Sequence, residues 1–246
     1  MKINWKLIKT TLGIGVLTFL VSFSAQRHAC KPMKDVEVKV DTEYGSRFIN
    51  DSIILKIING KELKLNSIPL GNMDISKVEK HLDKDPFIRK SQVFKDVDGV
   101  VKVQINQKTP VARIKASNEE YYLSEDLTKI PLSPLYASEV ILVGGDIIKD
   151  DYKGLRDLAD VISADKLLKK HIIAIKKEAP NSFILLVNKG SYIIEFGELE
   201  EFQEKFDKLN LFYEQYLGKV GLDYYEKINL RYKNQIVATK RINDEK

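Results

Sequence analysis

Residues 74–114 read DISKVEKHLDKDPFIRKSQVFKDVDGVVKVQINQKTPVARI, and this stretch decides the fold. Asp74 is suited to cap a helix, because its short carboxylate can accept the unpaired amide hydrogens of a first turn. Ile75, Val78 and Leu82 then recur at helical spacing, with Lys77, Glu79 and Lys80 facing away. Pro86 disfavours helical geometry at Asp85, so the helix should stop there and the chain should run extended from Ile88 to Lys95. Asp98 and Gly99 mark a tight turn with positive φ. Beyond it Val101, Val103 and Ile105 alternate with Lys102, Gln104 and Asn106, the period-two pattern of a half-buried strand. Helix, strand, turn and strand are contiguous.

Upstream, Val36, Val38 and Val40 alternate with Glu37 and Lys39 as a first strand. Asn50, Asp51 or Ser52 can cap a short helix carrying Ile53, Ile54, Ile57 and Ile58 on one side. The order becomes β-α-α-β-β, which resembles a POTRA domain, a small module with two helices on a three-stranded sheet. Such a sheet has exposed edges, which suit recognition of another chain better than chemistry.

The resemblance narrows further. The run DISKVEKHLDKDPFIRKSQV, the strand GVVKVQI and the ending QKTPVARI are similar to the junction between the POTRA and β-domains of FtsQ/DivIB cell-division proteins. YYLSEDLTKIPL, at 121–132, resembles the hairpin that opens that family's second domain. INLRYKNQIVATKR, at 228–241, resembles its closing strands. Each motif alone is weak; their order and spacing are specific.

The second domain is expected to begin near Pro110, with a strand over Val111 to Lys115. Tyr121–Leu123 and Lys129–Leu132 can pair across Ser124, Glu125 and Asp126. Val140–Val143 is a short strand, and Asp151 can cap a helix with Leu155, Leu158 and Ile162 on one face. Ile172–Lys176, Phe183–Val187 and Tyr192–Phe196 read as successive strands buried on both sides. Leu199, Phe202, Phe206, Leu209, Tyr213 and Tyr216 then predict a helix ended by Gly218, with Glu201/Lys205 and Glu204/Lys208 pairs on its wet face. An aromatic stripe of this kind is ordinarily core. Ile228, Leu230 and Tyr232 alternate with Asn229 and Arg231 as a strand, which resumes over Gln235–Lys240.

The N-terminus speaks to compartment. Thr10 to Ala25 carries no charge and follows Lys2, Lys6 and Lys9, so residues 10–27 are expected to form a transmembrane anchor behind a short cytoplasmic tail, residues 1–9. The run is slightly shorter than the roughly 20 residues of a full span. A cleaved signal peptide is the rival reading, since Ser22 and Ser24 resemble a cleavage site. The lone Cys30 permits no intrachain disulfide and reads as a passive thiol. The remaining boundaries expected are a POTRA domain at 34–108, a β-domain at 109–241 and a charged tail at 242–246. The expected class is α+β, with the second domain mostly antiparallel and bearing two helices.

Composition excludes several functions. The net charge of +5 arises from 40 basic and 35 acidic residues interspersed along the chain, without the basic stripe of a nucleic-acid binder. His28, His81 and His171 are scattered, so no metal cluster or Cys-His pair is indicated. Neither a G-x-S-x-G, an H-E-x-x-H nor a P-loop pattern occurs. No enzymatic activity, cofactor or small-molecule substrate is expected.

The resemblance implies a bitopic divisome scaffold in the bacterial inner membrane, single-pass, with periplasmic C-terminal domains at the septum. It implies that an FtsB/FtsL-like partner adds a strand at the C-terminal edge, over Arg231, Tyr232, Asn234, Gln235 and Val237. Arg231 could hold a partner carboxylate and Tyr232 offers a large face with few rotors. From the residues alone, the same segment reads as an ordinary edge blunted by Lys233, Lys240 and Arg241. The POTRA domain would make a second contact with other septal proteins. Alternatives are a POTRA-bearing factor for outer-membrane proteins, which should carry tandem units, or a periplasmic wall-modifying enzyme.

Overall fold

Each local signal in the opening stretch is realised in the backbone of a computed structural model, which describes residues 5–29, 32–41, 47–60, 63, 68–96 and 98–242. The Asp74 carboxylate accepts the Lys77 amide at 3.2 Å and starts α3 (Ile75–Leu82). The chain leaves the helix before Pro86 and runs as β2 (Ile88–Lys95), turns at Gly99 with φ of 95°, and returns as β3 (Val100–Gln107). Asn50 caps α2 (Asp51–Ile58) by accepting the Ile53 amide at 3.0 Å. The first strand, β1 (Asp35–Asp41), pairs parallel with β3, and the sheet order is β1-β3-β2. Val101, Val103 and Ile105 are fully buried under Ile54, Ile58, Val78 and Leu82. This is the β-α-α-β-β module, and the chain divides after it, between Gln107 and Lys108.

The N-terminal helix, α1 (Trp5–Ala29), forms where an anchor was expected. Its described side chains, 9–24, are exposed around the whole circumference. Among the described residues, however, no helix is long and apolar enough to cross a membrane. The uncharged run from Thr10 to Gln26 spans about 25 Å at 1.5 Å per residue, short of the roughly 30 Å hydrocarbon layer, and threonines, glycines and serines dilute its hydropathy. Thr18 returns its hydroxyl to the carbonyls of Ile14 and Gly15 at 2.9 and 3.0 Å. Cys30, residues 1–4 and the tail 243–246 lie outside the described residues.

The second unit is one nine-stranded sheet. Its strands are β4 (Pro110–Lys115), β5 (Glu120–Ser124), β6 (Lys129–Pro131), β7 (Ile141–Gly144), β8 (Ile172–Ala179), β9 (Ser182–Val187), β10 (Ile193–Gly197), β11 (Tyr225–Asn229) and β12 (Val237–Lys240). The spatial order is β12-β11-β10-β9-β8-β7-β4-β5-β6. Register places Ile114, Val143, Ile175, Leu185, Ile194 and Ile228 in one row across six strands, each fully buried. Helices α4 (Asp151–Ala164), α5 (Lys166–His171) and α6 (Phe202–Phe212) supply Leu155, Leu158, Leu168, Phe206 and Leu209 to the same core. At about 25 cal/mol per Å2 of apolar surface, such a row is the main stabilising element of the unit.

The sheet is mostly antiparallel, as expected, with β4–β7, β7–β8 and β10–β11 as its parallel pairs. Helical crossovers serve β7–β8 through α4 and α5 and β10–β11 through α6, while the β4–β7 connection passes through the β5–β6 hairpin. Four sequence expectations need correction here. The domain carries α4, α5 and α6 where two helices were expected. Of the strands expected to be buried on both sides, β9 is, since consecutive Phe183, Ile184 and Leu185 are all buried, but β8 is not, because Ile173 remains exposed. The long helix does not stop at Gly218: a π-turn at Tyr213–Leu217 leads into the short α7 (Gly218–Val220). Its extra residue rotates the stripe, so Tyr216 is 54% exposed while Phe206 and Leu209 are core. Finally, Asp151 does not cap its own helix. Its carboxylate accepts the Ile148 amide at 2.9 Å and meets Lys177 Nζ at 2.6 Å, a buried ion pair.

Candidate partner-binding edge

A sheet edge is a recognition element only if its backbone groups are left unspent. Two outward amides of β2 are spent: Ser91 N–H donates to Asp83 Oδ1 at 2.7 Å and Val93 N–H to Glu79 Oε1 at 2.8 Å. Glu79 comes from α3 and Asp83 from its C-cap, so the helix and its end cover the middle of this edge of the first sheet. In the second sheet, β6 is three residues long and ends in Pro131, which has no donor. The opposite edge is β12. Among the described residues no strand pairs with its outer side.

The geometry of β12 identifies which groups face outward. Arg241 N–H donates to Tyr224 O at 2.9 Å, toward β11. Donors alternate along an antiparallel strand, so the N–H groups of Thr239 and Val237 also point to β11, and those of Ala238 and Lys240 point away. Ala238 packs its methyl group on the core beside Ile228, with which it is in register. Val237 and Thr239 lie on the other face, both exposed.

The five residues expected at the site are divided by the structure. Only Val237 lies on the strand; it is in register with Asn229 and 42% exposed. Arg231, Tyr232, Asn234 and Gln235 occupy the β11–β12 connection, exposed to solvent. The alternation of Ile228, Leu230 and Tyr232 therefore does not continue as a strand. Two contacts break it. Arg231 places its guanidinium on the Glu195 carboxylate of β10, and Lys208 Nζ of α6 grips the carbonyls of Tyr232 and Lys233 at 2.8 and 2.7 Å. Asn229 Nδ2 donates to the same Glu195 carboxylate at 2.6 Å, and Lys227 Nζ stands 3.9 Å from it. Arg231 is thus an internal partner as well as a surface cation.

Residues that sequence reasoning missed hold this loop in place. Glu195, whose side chain is 19% exposed, is the hub. Gly197 adopts φ of 78°, and a Cβ there would come within 2.6 Å of Arg231 Cγ, so only glycine lets the arginine stem cross β10. Glu201 was expected to pair with Lys205 but meets Lys233 at 3.2 Å. Lys205 is instead buried, with Nζ on Glu198 O at 2.8 Å and 4.5 Å from the Phe196 ring, and burial lowers its pKa below the usual lysine range. The Glu204/Lys208 pair does form, at 3.5 Å.

A profile described as FtsQ/DivIB, C-terminal related, matches residues 109–239, more than half of the chain. The chain belongs to the FtsQ/DivIB family. A POTRA-like domain profile matches residues 30–106, the β-α-α-β-β module. No curated protein matches significantly. The FtsQ/DivIB assignment makes this a member of a division-related scaffold family and places the β12 edge within its C-terminal-related domain. Among the described residues, no cluster of His, Cys, Asp and Glu could hold a metal ion.

Proposed function

We propose that this chain is a non-enzymatic scaffold of the bacterial division machinery that recruits FtsB/FtsL-like proteins by strand addition at β12. The observation that carries the reading is the strand's outer edge, which among the described residues faces no strand, while β6 at the other edge of the same sheet is cut short by proline. An incoming strand would pair with the outward N–H and C=O groups of Ala238 and Lys240, and its side chains would meet Val237 and Thr239 on one face. Tyr232, half-exposed beside the edge, supplies the aromatic anchor. Asn234 and Gln235 offer adaptable hydrogen bonds. Arg231 contributes through position: a partner carboxylate would have to share it with Glu195.

In the same reading, α1 holds the scaffold in the inner membrane, with both outer domains periplasmic at the septum. Exposed leucine, valine, isoleucine and phenylalanine all around the helix support lipid contact. The first sheet offers β1 for a second, septal contact, since among the described residues no strand pairs with its outer side.

Depletion with microscopy tests the cellular role. Cells lacking the protein should filament and be rescued by the wild-type gene. An envelope-permeability defect without filamentation would refute a division role.

A further inference from the structure

At the β12 C-terminal end of the sheet, a groove of about 1020 Å3 opens between α5, the β9–β10 turn and the segment preceding β11. Its lining combines three exposed cations, Lys166, Lys170 and Lys189, with the exposed apolar side chains of Leu167 and Leu222 and the half-buried Tyr213 and His171. No carboxylate lines it among the described residues. Three acids adjoin lining residues in sequence: Asp165 accepts the Leu167 and Leu168 amides that start α5, Asp223 accepts the Ser191 hydroxyl at 3.1 Å, and Glu214, next to Tyr213, is exposed but does not line the groove.

The groove is built rather than incidental. Asn188 N–H donates to His171 O at 2.7 Å and its side-chain amide to Lys170 O at 3.3 Å, which ties the β9–β10 turn to α5. Below, His171 Nε2 and Tyr192 O–H are 2.7 Å apart, and Tyr192 O–H donates to Tyr213 O–H at 3.2 Å. That chain of hydrogen bonds fixes the deeper wall. The cations gain nothing internally from their convergence, since like charges on one rim repel. An apolar trough ringed by positive charge is complementary to an acidic chain with apolar side chains.

We propose that this groove docks an acidic, apolar-flanked peptide segment of a partner protein, at a surface separate from the β12 edge. Glutamate or aspartate side chains would face Lys166, Lys170 and Lys189, and leucine-like side chains would lie on Leu167 and Leu222. The volume exceeds what most small ligands fill and suits a peptide segment.

The test uses the full chain in detergent and two short fluorescein-labelled probes, a glutamate/leucine peptide and a lysine/leucine peptide of equal length, read by fluorescence anisotropy. The acidic probe should bind and the basic one should not, with affinity falling as salt rises. Reversing all three cations together (K166E, K170E and K189E), each on the solvent-exposed surface, should weaken binding by about tenfold or more, the scale of three rim charges that each contribute weakly. Val237→Asp on β12 should leave this binding unchanged, so failure of the strand-addition reading and failure of this one are distinguishable. Equal binding of both probes, or undiminished binding by the charge-reversed protein, would overturn the proposal. So would lysine-dependent binding of phosphatidylglycerol vesicles without binding of the acidic peptide, an outcome that reassigns the groove to a lipid surface.

Discussion

Replacing Lys240 with proline isolates the backbone contribution of the β12 edge. The Lys240 amide points away from β11, and the neighbouring Arg241 N–H, which does bond β11 at 2.9 Å, is left intact. Proline on this side of an edge strand removes an outward donor without taking one from the fold. An incoming strand loses one hydrogen bond, about 1 kcal/mol net, and strands a partner carbonyl at a partly buried position, about 1 kcal/mol more. Affinity for the FtsB/FtsL-like partner should fall by about 30-fold, the equivalent of about 2 kcal/mol. Biolayer interferometry with the soluble outer segment of the partner reads this directly, and circular dichroism should show a melting temperature within a few degrees of wild type. The control is Lys240→Ala, which removes the ammonium 5.3 Å from the Tyr224 ring but keeps the amide. Alanine should weaken binding less than threefold, since an exposed cation–π contact is worth about 0.5 kcal/mol. Proline binding within threefold of wild type, or alanine losing as much as proline, would refute strand addition at this edge.

Gly197→Ala should destabilise the protein by about 2 kcal/mol and loosen the β11–β12 connection, because the residue sits at φ of 78° under the Arg231 stem; chemical denaturation measures the loss. Lys177→Met should cost about 3 kcal/mol, since it abandons the Asp151 carboxylate in a site where both side chains are under a tenth exposed, and the melting temperature should drop by about 10 °C. Glu195→Gln should weaken partner binding although Glu195 lies beneath the surface, while leaving the acidic-peptide groove unaffected; equal partner binding would show that the Glu195 knot does not position the edge. His171 carries a pH prediction. Burial holds its pKa below the ordinary 6.5, so between the folded and unfolded values the unfolded chain binds more protons. Stability is lost as pH falls from 6.5 through the folded value, and His171→Phe should reduce the loss between pH 7 and pH 5 seen by thermal melting.

The POTRA-like module was legible almost to the residue because its boundaries are local chemistry. Asp74, Pro86 and Asp98-Gly99 each act within a few residues, and β2 spans Ile88–Lys95 as its flanks require. The candidate edge was legible only as a region. What ends β11 at Asn229 is the pull of Glu195 and Lys208 on the following loop, contacts from more than 20 residues away that leave no periodic trace. Lys205 shows the same limit from the other side. Its i,i+4 spacing from Glu201 predicted a solvated pair, yet the ammonium lies over the Phe196 ring and donates to a carbonyl. The groove at His171 was invisible for a related reason: its walls come from α5, a hairpin turn and a loop 50 residues apart in sequence.

The disposition of edges argues that partner choice is enforced by exclusion as much as by attraction. The two sheets carry four edges; among the described residues β1 and β12 have no strand on their outer sides, and the other two edges are restricted. Here Glu79 of α3 and Asp83 at its C-cap each take an outward amide of β2. Proline ends β6. At β12, by contrast, four exposed or half-exposed residues have no strand on their outer side among the described residues, and the adjoining loop is anchored by Arg231, Lys208 and Lys233 to three acidic or carbonyl sites. Anchoring a loop while leaving the strand beside it open keeps the edge rigid, so a partner strand does not meet the entropy cost of ordering it. Blunting by Lys240 and Arg241 does not contradict this. Lys240 lies over Tyr224 and Arg241 reaches back to Ser191 O, so both cations are drawn toward β11's side of the strand rather than across its outer face.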